Sequence, residues 1–290
     1  VIYLSEPDRF SATTVDQAQS LRSLAYGVAD ELKPRPEITR LWLVAGGKGG
    51  VGTTTVAWNI ALASSRGGRR TMLLDADPRG DDAAWLVKLD PHHTLADLLT
   101  GKLDRQENLN YPENDNLLFI GGTPGWQQLY GGQRAALNRL FALIGNPRLS
   151  MDVAVIDAGN GSLDLPLAAQ KYAEKLILVT TSETPAVVNT FRTLKILAAV
   201  ESDLPCRYCL VVNQAGYRAA RRTFQRLAGA ARRLLGLELS LWGWMAKSSQ
   251  PLKLTIRWLS ADNKRKVVVA KEMSNWIKFT NFFDFLLPSR

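Results

Sequence analysis

The sequence predicts an α/β fold: a mostly parallel, doubly wound sheet with helices on both faces. Two observations carry this. Short apolar runs alternate along the chain with stretches of helical periodicity, the order that builds parallel β-α-β units. Several of those runs also end in residues suited to a site at the carboxyl edge of such a sheet. A glycine-dense loop follows residues 41–45, Asp75 and Asp77 close the run that begins near Arg69, and Asp157 closes the run 152–157.

Composition sets the outer limits. The 290 residues are 46% hydrophobic and 22% charged, as in globular proteins. No apolar run approaches membrane-spanning length. No signal-peptide pattern is visible and two cysteines cannot make a disulfide framework, so a cytoplasmic location is expected. The net charge of +9 favours anionic partners: nucleotide, nucleic acid or acidic lipid.

Residues 1–13 read as a polar lead. Thr14 offers an N-cap, and Val15, Ala18, Leu21, Ala25, Val28 and Leu32 recur at helical spacing. Pro34 and Pro36 end that helix, so residues 1–36 form an N-terminal helix and linker ahead of a core spanning 37–250.

The core begins with an apolar strand, a loop dense in glycine, and a helix whose apolar positions include Val56, Ile60, Ala61 and Ala63. Strand, Gly-rich loop and helix N-terminus together turn backbone N–H groups into a phosphate site. Gly49, Gly50 and Gly52 let a nucleotide's oxygens approach the backbone. Thr54 stands where a P-loop hydroxyl meets Mg²⁺. The lysine of the usual G-K-[ST] pattern is replaced by Thr53, while Lys48 heads the loop.

The remaining strands are read in order. Asp75 and Asp77 end a buried strand and face the same edge as the loop, or else cap the strand end. Residues 117–122 form a strand and 131–144 an amphipathic helix. Asp157 holds the Walker B position, where an aspartate meets magnesium or its waters, and residues 158–161 form a glycine-bearing turn. Residues 175–186 form a strand and its exit, a helix over 186–200 covers the sheet, and residues 209–213 and 239–244 form two further strands. The neighbouring Cys206 and Cys209 sit at the start of a strand, not at a helix N-terminus, which argues against redox work. His92 and His93 lack a ligand cluster.

Between Asp203 and Glu238 there are seven arginines and no acidic residue. On a helical wheel Arg218, Arg221, Arg222, Arg226, Arg232 and Arg233 gather opposite Phe224, Leu227, Ala231, Leu234 and Leu235. This is either a solvated charged face or a docking face for acidic lipid, an acidic protein or DNA, with Arg218, Arg222 and Arg226 as the nucleic-acid candidates. Residues 251–290 form a C-terminal extension, in which 252–269 read as an irregular or β-rich stretch. Its last helix, 271–287, carries Trp276, Phe279, Phe283 and Leu287 on one stripe, suited equally to core packing and to peripheral membrane contact.

The run Lys48-Gly-Gly-Val-Gly-Thr-Thr-Thr55 resembles the deviant Walker A motif of the MinD/ParA family of P-loop ATPases. Asp16, Gln17, Ala18, Leu21 and Arg22 resemble the D-Q-A-x-x-L-R element of its FlhG (FleN) branch, which governs flagellar number and placement. Residues 180–186, Thr-Thr-Ser-Glu-Thr-Pro-Ala, are similar to the T-T-P-E-P-T-A of that branch. Pro78-Arg-Gly-Asp-Asp82 is instead nearer the D-P-Q-G-N switch of ParA proteins.

The resemblance implies a P-loop NTPase fold over residues 14–250, with ATP and Mg²⁺ as cofactors. ATP would contact Lys48, Gly49, Gly50, Val51, Gly52, Thr53, Thr54, Thr55, Asp157 and Asn213. Mg²⁺ would meet Thr54, Asp75 and Asp157. Lys48 would reach a partner subunit's phosphates in an ATP-dependent homodimer, and Asp77 would polarise the attacking water. Asn213 would read the adenine edge, although an asparagine there also suits the cap of the following turn. The N-terminal element would dock on an FlhF-like GTPase.

Weak ATPase activity is the expectation, and Thr53 sets turnover apart from binding. Two other roles stay open: a non-hydrolysing polar scaffold like CpaE/TadZ proteins, which often carry small residues at this position, and a ParA-like DNA-partitioning ATPase.

Overall fold

The computed structural model describes residues 40–80, 83–84, 93–102, 110–111, 114–129, 131–145, 151–200, 206–247, 257–259 and 265–267. The expected N-terminal helix with Asp16, Gln17, Ala18, Leu21 and Arg22, and the helix 271–287, lie outside these residues.

The chain opens with β1 (Arg40–Gly46), α1 (Thr53–Arg66) and β2 (Thr71–Asp75), then α2 (Leu95–Thr100), β3 (Asn110–Tyr111), β4 (Asn114–Ile120) and α3 (Gln133–Ile144). It continues through β5 (Val153–Asp157), α4 (Asp164–Ala169), β6 (Lys175–Thr180), α5 (Thr184–Ala198) and β7 (Arg207–Val212). It finishes with α6 (Tyr217–Leu235), β8 (Leu239–Trp244), β9 (Arg257–Leu259) and β10 (Arg265–Val267). All described strands form one sheet in the order β10-β9-β8-β7-β6-β1-β5-β2-β4-β3. The seven strands from β8 to β4 are parallel, while β3, β9 and β10 pair antiparallel at the two edges.

Alternation along the strands explains why both faces are covered. Leu41, Leu43 and Ala45 of β1 enter one core layer, and Trp42 and Val44 enter the other. Buried residues of α1, such as Val56, Trp58 and Ile60, fill the second layer. The first layer takes Leu99, Leu137, Leu165, Leu194 and Leu227 from α2 to α6. Nearly continuous apolar strands are what a parallel sheet buried on both faces requires. Trp42 meets Trp242 edge-on at 5.5 Å between ring centroids, which joins β1 to the β8 side across that layer.

Most elements start within a few residues of where the sequence places them. Thr94 supplies a capping box to α2, accepting from Asp97 N while the Asp97 carboxylate accepts from Thr94 N. Gly101, at φ 77°, ends it. One feature was not expected. The short α4 contains Pro166 in its first turn, where a missing N–H costs nothing. Past residue 250, where the sequence reads as either irregular or β-rich, strand pairing continues through β9 and β10.

Candidate functional site

β1, β2 and β5 run parallel and adjacent, so their carboxyl ends deliver residues to one edge. The β1–α1 loop lies there, and Asp75 of β2 stands directly beside Asp157 of β5 in register. Sequence separation of 82 residues is thereby reduced to neighbouring strands.

The loop is built on its glycines. Gly50 and Gly52 hold φ of 79° and 83°, a region that strains other residues. A Cβ on Gly47 would press on the backbone of Thr190 in α5, and one on Gly46 would collide with Thr53 Oγ1. Val51 is buried in the core, so it anchors the loop with its side chain and offers only backbone outward. Gly52 caps α1, whose first-turn N–H groups have no carbonyl within the helix to accept them. Lys48, Gly49 and Gly50 are exposed.

Thr54 and Thr55 are part-exposed in the first turn, whereas Thr53 is buried. The Thr53 hydroxyl has turned back beneath the loop toward Gly46 and has no hydrogen-bond partner. It therefore does not occupy the place of a long cationic side chain reaching over the loop.

The carboxylates sit deeper. Asp75 and Asp157 are fully buried and Asp77 is 2% exposed. Asp75 accepts from Asp77 N at 3.2 Å and from Ala83 N at 3.1 Å. Burial and then the adjacent Asp157 push its carboxyl up to about 8. A carboxyl in that condition keeps a proton at neutral pH unless a cation balances it. Asp157 accepts from Gly159 N at 3.0 Å, and Gly159, at φ 63°, passes so close to Asp77 that a Cβ would collide with its carboxylate.

Asn213, at the end of β7, is buried and points at the loop from behind. Its Nδ2 donates to the carbonyl of Val51 at 2.8 Å, and its Oδ1 accepts from Gln214 N at 2.8 Å. Of the two readings of this residue, turn capping is the one these bonds fill, leaving one amide hydrogen and one lone pair. Gln214, a non-glycine residue at φ 54°, adds a bond from Nε2 to Gly50 O.

Three supporting residues escaped the sequence reading. Trp126, fully buried, donates from Nε1 to Ala76 O and fixes the loop that follows β2. Gly122 leaves room beside Asp75 Oδ2. Arg79 forks onto Asp77. A lone tryptophan just after Thr-Pro-Gly was the available signal for Trp126; the others show only once β2, β4 and β5 are side by side.

The donor set fits a nucleotide with magnesium: a glycine cradle with helix N–H groups for phosphate, and oxygen ligands at Thr54, Asp75 and Asp157 for a hard cation. Among the described residues no cluster of three or more His, Cys, Asp or Glu side chains is arranged for a metal. An Mg²⁺ ion here would lean on phosphate oxygens and water, as it commonly does.

Elsewhere, burial pushes Cys206 and Cys209 up to about 12 and about 11, so both are protonated thiols. On α6 the six arginines are exposed; of the apolar residues placed opposite them, Leu227 and Ala231 are buried but Leu234 is 70% exposed. Among the described residues no helix is long and apolar enough to cross a membrane.

Comparison with known proteins agrees with this geometry. A ParA family model, described as NUBPL iron-transfer P-loop NTPase, matches residues 37–104, the segment that holds the loop, Asp75 and Asp77. Over these residues the chain resembles a ParA-type P-loop protein. The antiactivator FleN of Pseudomonas aeruginosa is 33% identical to this chain over 156 residues, 53% of this chain and 55% of FleN. The flagellum site-determining protein YlxH of Helicobacter pylori is 26% identical over 214 residues, 73% of this chain and 71% of YlxH. The first curated relatives are thus matched over little more than half their length. Among solved structures, the septum site-determining protein MinD of Pyrococcus horikoshii, complexed with Mg-ADP, shares the fold with a TM-score of 0.55 at 21% identity, covering 74% of this chain and 86% of that one.

Proposed function

We propose that this protein is an ATP-binding switch of the FlhG kind, which regulates flagellar number or placement through ATP-dependent dimerisation. The observation that carries the reading is the meeting of the glycine cradle with buried Asp75 and Asp157 at one sheet edge. The similarity to FleN and YlxH supports the flagellar role. In this reading residues 48–55 hold the phosphates, and Thr54, Asp75 and Asp157 hold hydrated Mg²⁺, which offsets phosphate charge. Lys48 serves the phosphates of the second subunit, and Asp77 orients water. Asn213 keeps the loop in shape and has one donor and one acceptor left for an adenine edge.

The N-terminal element at 16–22 is the proposed contact with an FlhF-like GTPase. The helix 271–287 and the α6 arginines are the proposed peripheral contacts with acidic membrane at the inner face of the cell. The same arginines, Arg218, Arg222 and Arg226, are the surface a ParA-like DNA role would use.

A second reading, a non-hydrolysing localisation scaffold, is favoured by one observation. Thr53 replaces the lysine, and its hydroxyl lies under the loop. No threonine reaches β/γ-phosphates as lysine does. ATP binding and turnover by wild type, Thr53→Lys and Lys48→Ala separate the two. Slow turnover abolished by Lys48→Ala fits the switch. Binding with no turnover, gained in Thr53→Lys, fits the scaffold.

A further inference from the structure

Arg79 follows the strand-end aspartates by two residues and has no counterpart among the phosphate-site residues read from sequence. Its guanidinium grips Asp77 with both prongs, Nε to Oδ1 at 3.1 Å and Nη2 to Oδ2 at 2.8 Å, and its backbone N–H donates to the same Oδ1 at 3.0 Å. Asp77 is buried, while the Arg79 side chain is 57% exposed, so one end of the pair is fixed and the other faces solvent. The aliphatic and Nε part of Arg79 lies within 3.6–3.8 Å of the space beside Gly161. The next residue back, Asn160, places its Oδ1 3.7 Å from the space beside Gly49 of the phosphate loop. Arg79 therefore spans the loops that follow β2 and β5, one residue from contact with the cradle.

From this placement we infer that Arg79 is a terminal-phosphate sensor: it holds Asp77 when no terminal phosphate is present and exchanges that carboxylate for a phosphate group in the ATP-bound protein. The inference rests on the nucleotide-binding reading. Chemistry favours the exchange. A guanidinium pairs with phosphate by the same fork it uses for carboxylate, and a polyphosphate carries more negative charge than one aspartate. The loop lacks the lysine that would neutralise this charge from position 53, and Arg79 is a cation with a part-exposed side chain near it. Exchange also releases Asp77, both of whose carboxylate oxygens accept from Arg79 in the observed state. A single residue would thus couple recognition of ATP, as opposed to ADP, to freeing the proposed water-orienting group.

The test compares Mg-ATP and Mg-ADP affinities, by calorimetry on full-length protein, for wild type, Arg79→Ala, Arg79→Lys and Asp77→Asn. Wild type should prefer ATP. Arg79→Ala should reduce the ATP-to-ADP preference on the order of tenfold or more by weakening ATP alone, and Arg79→Lys should recover part of it. Asp77→Asn, which loosens the competing pair, should tighten ATP several-fold with ADP unchanged. The Asp77→Asn arm also stands by itself if Arg79→Ala folds poorly. Unchanged ATP-to-ADP ratios in Arg79→Ala and Asp77→Asn would overturn the sensor role while leaving nucleotide binding intact. Failure of wild type to bind either nucleotide would instead overturn the underlying reading.

Discussion

Asn213 Nδ2 donates to Val51 O across 162 residues of sequence, tying the end of β7 to the middle of the phosphate loop. The bond is buried, and Gly52 has no Cβ because Asn213 fills the space that one would take. A loop rich in glycine gains little rigidity from its own residues, since glycine loses the most entropy on ordering. Its shape is therefore imposed from outside, by Asn213, Gln214 and Thr190.

Removing that brace should matter. Asn213→Ala leaves Val51 O buried without its donor, a loss of about 1–3 kcal/mol in stability. Nucleotide affinity should fall as well, because the loop no longer arrives preformed. Chemical denaturation gives the first quantity and calorimetric titration the second. Loss of stability with unchanged affinity would show that the loop orders itself around its ligand.

Thr53 predicts a change in the opposite direction. Its buried hydroxyl has no hydrogen-bond partner, so the isosteric Thr53→Val should keep the stability of the nucleotide-free protein or raise it by up to about 1 kcal/mol. Denaturant midpoints at fixed slope test this. A clear fall would mean that the hydroxyl is satisfied in solution.

Glu174, at the start of β6, supplies a pH signature. Burial works against its ionisation, but bonds from Lys175 at 2.7 Å and Trp42 and the nearby Arg40 outweigh that and hold its carboxyl below the usual range. A lowered carboxylate stabilises the fold above its unfolded value, near 4.5, and that contribution fades as pH falls through the folded value. Lys175→Met removes the main partner and moves protonation of Glu174 upward. The variant should lose stability at higher pH than wild type during acid titration. The difference between the two should be about 1 kcal/mol or less and vanish once both are protonated, since Glu174 is part-exposed. Parallel acid-unfolding curves followed by circular dichroism measure it; superimposed curves would deny Lys175 this role.

The sheet was legible because its signal is local and repeated. Apolar runs such as Val153–Asp157 read directly as buried parallel strands, and the arginine stripe from Arg218 to Arg233 marked the body of the 19-residue α6. The phosphate loop, Asp75 and Asp157 were legible because strand ends are predictable places. What escaped was contact between distant segments. Arg79 was visible only as a departure within an aspartate-proline motif, and its grip on Asp77 depends on where Gly159 and Gly161 bring the β5 loop. Asn213 was found for its position, yet its bond to Val51 depends on the placement of β7 beside β6, two strands from β1. The edge strands β9 and β10 lack a strong alternating pattern and follow from pairing, β9 with β8 and β10 with β9.

The central claim is that the β1–α1 loop and the carboxylates beside it bind a magnesium nucleotide despite threonine at position 53. Calorimetric titration of the full-length protein with Mg-ATP, alongside an Asp75→Ala/Asp157→Ala variant and a magnesium-free control, tests it most directly. Saturable one-to-one binding that weakens at least tenfold in the variant or without magnesium is the predicted result. Absence of binding by wild type, or binding indifferent to both Mg²⁺ and the two aspartates, would contradict the account.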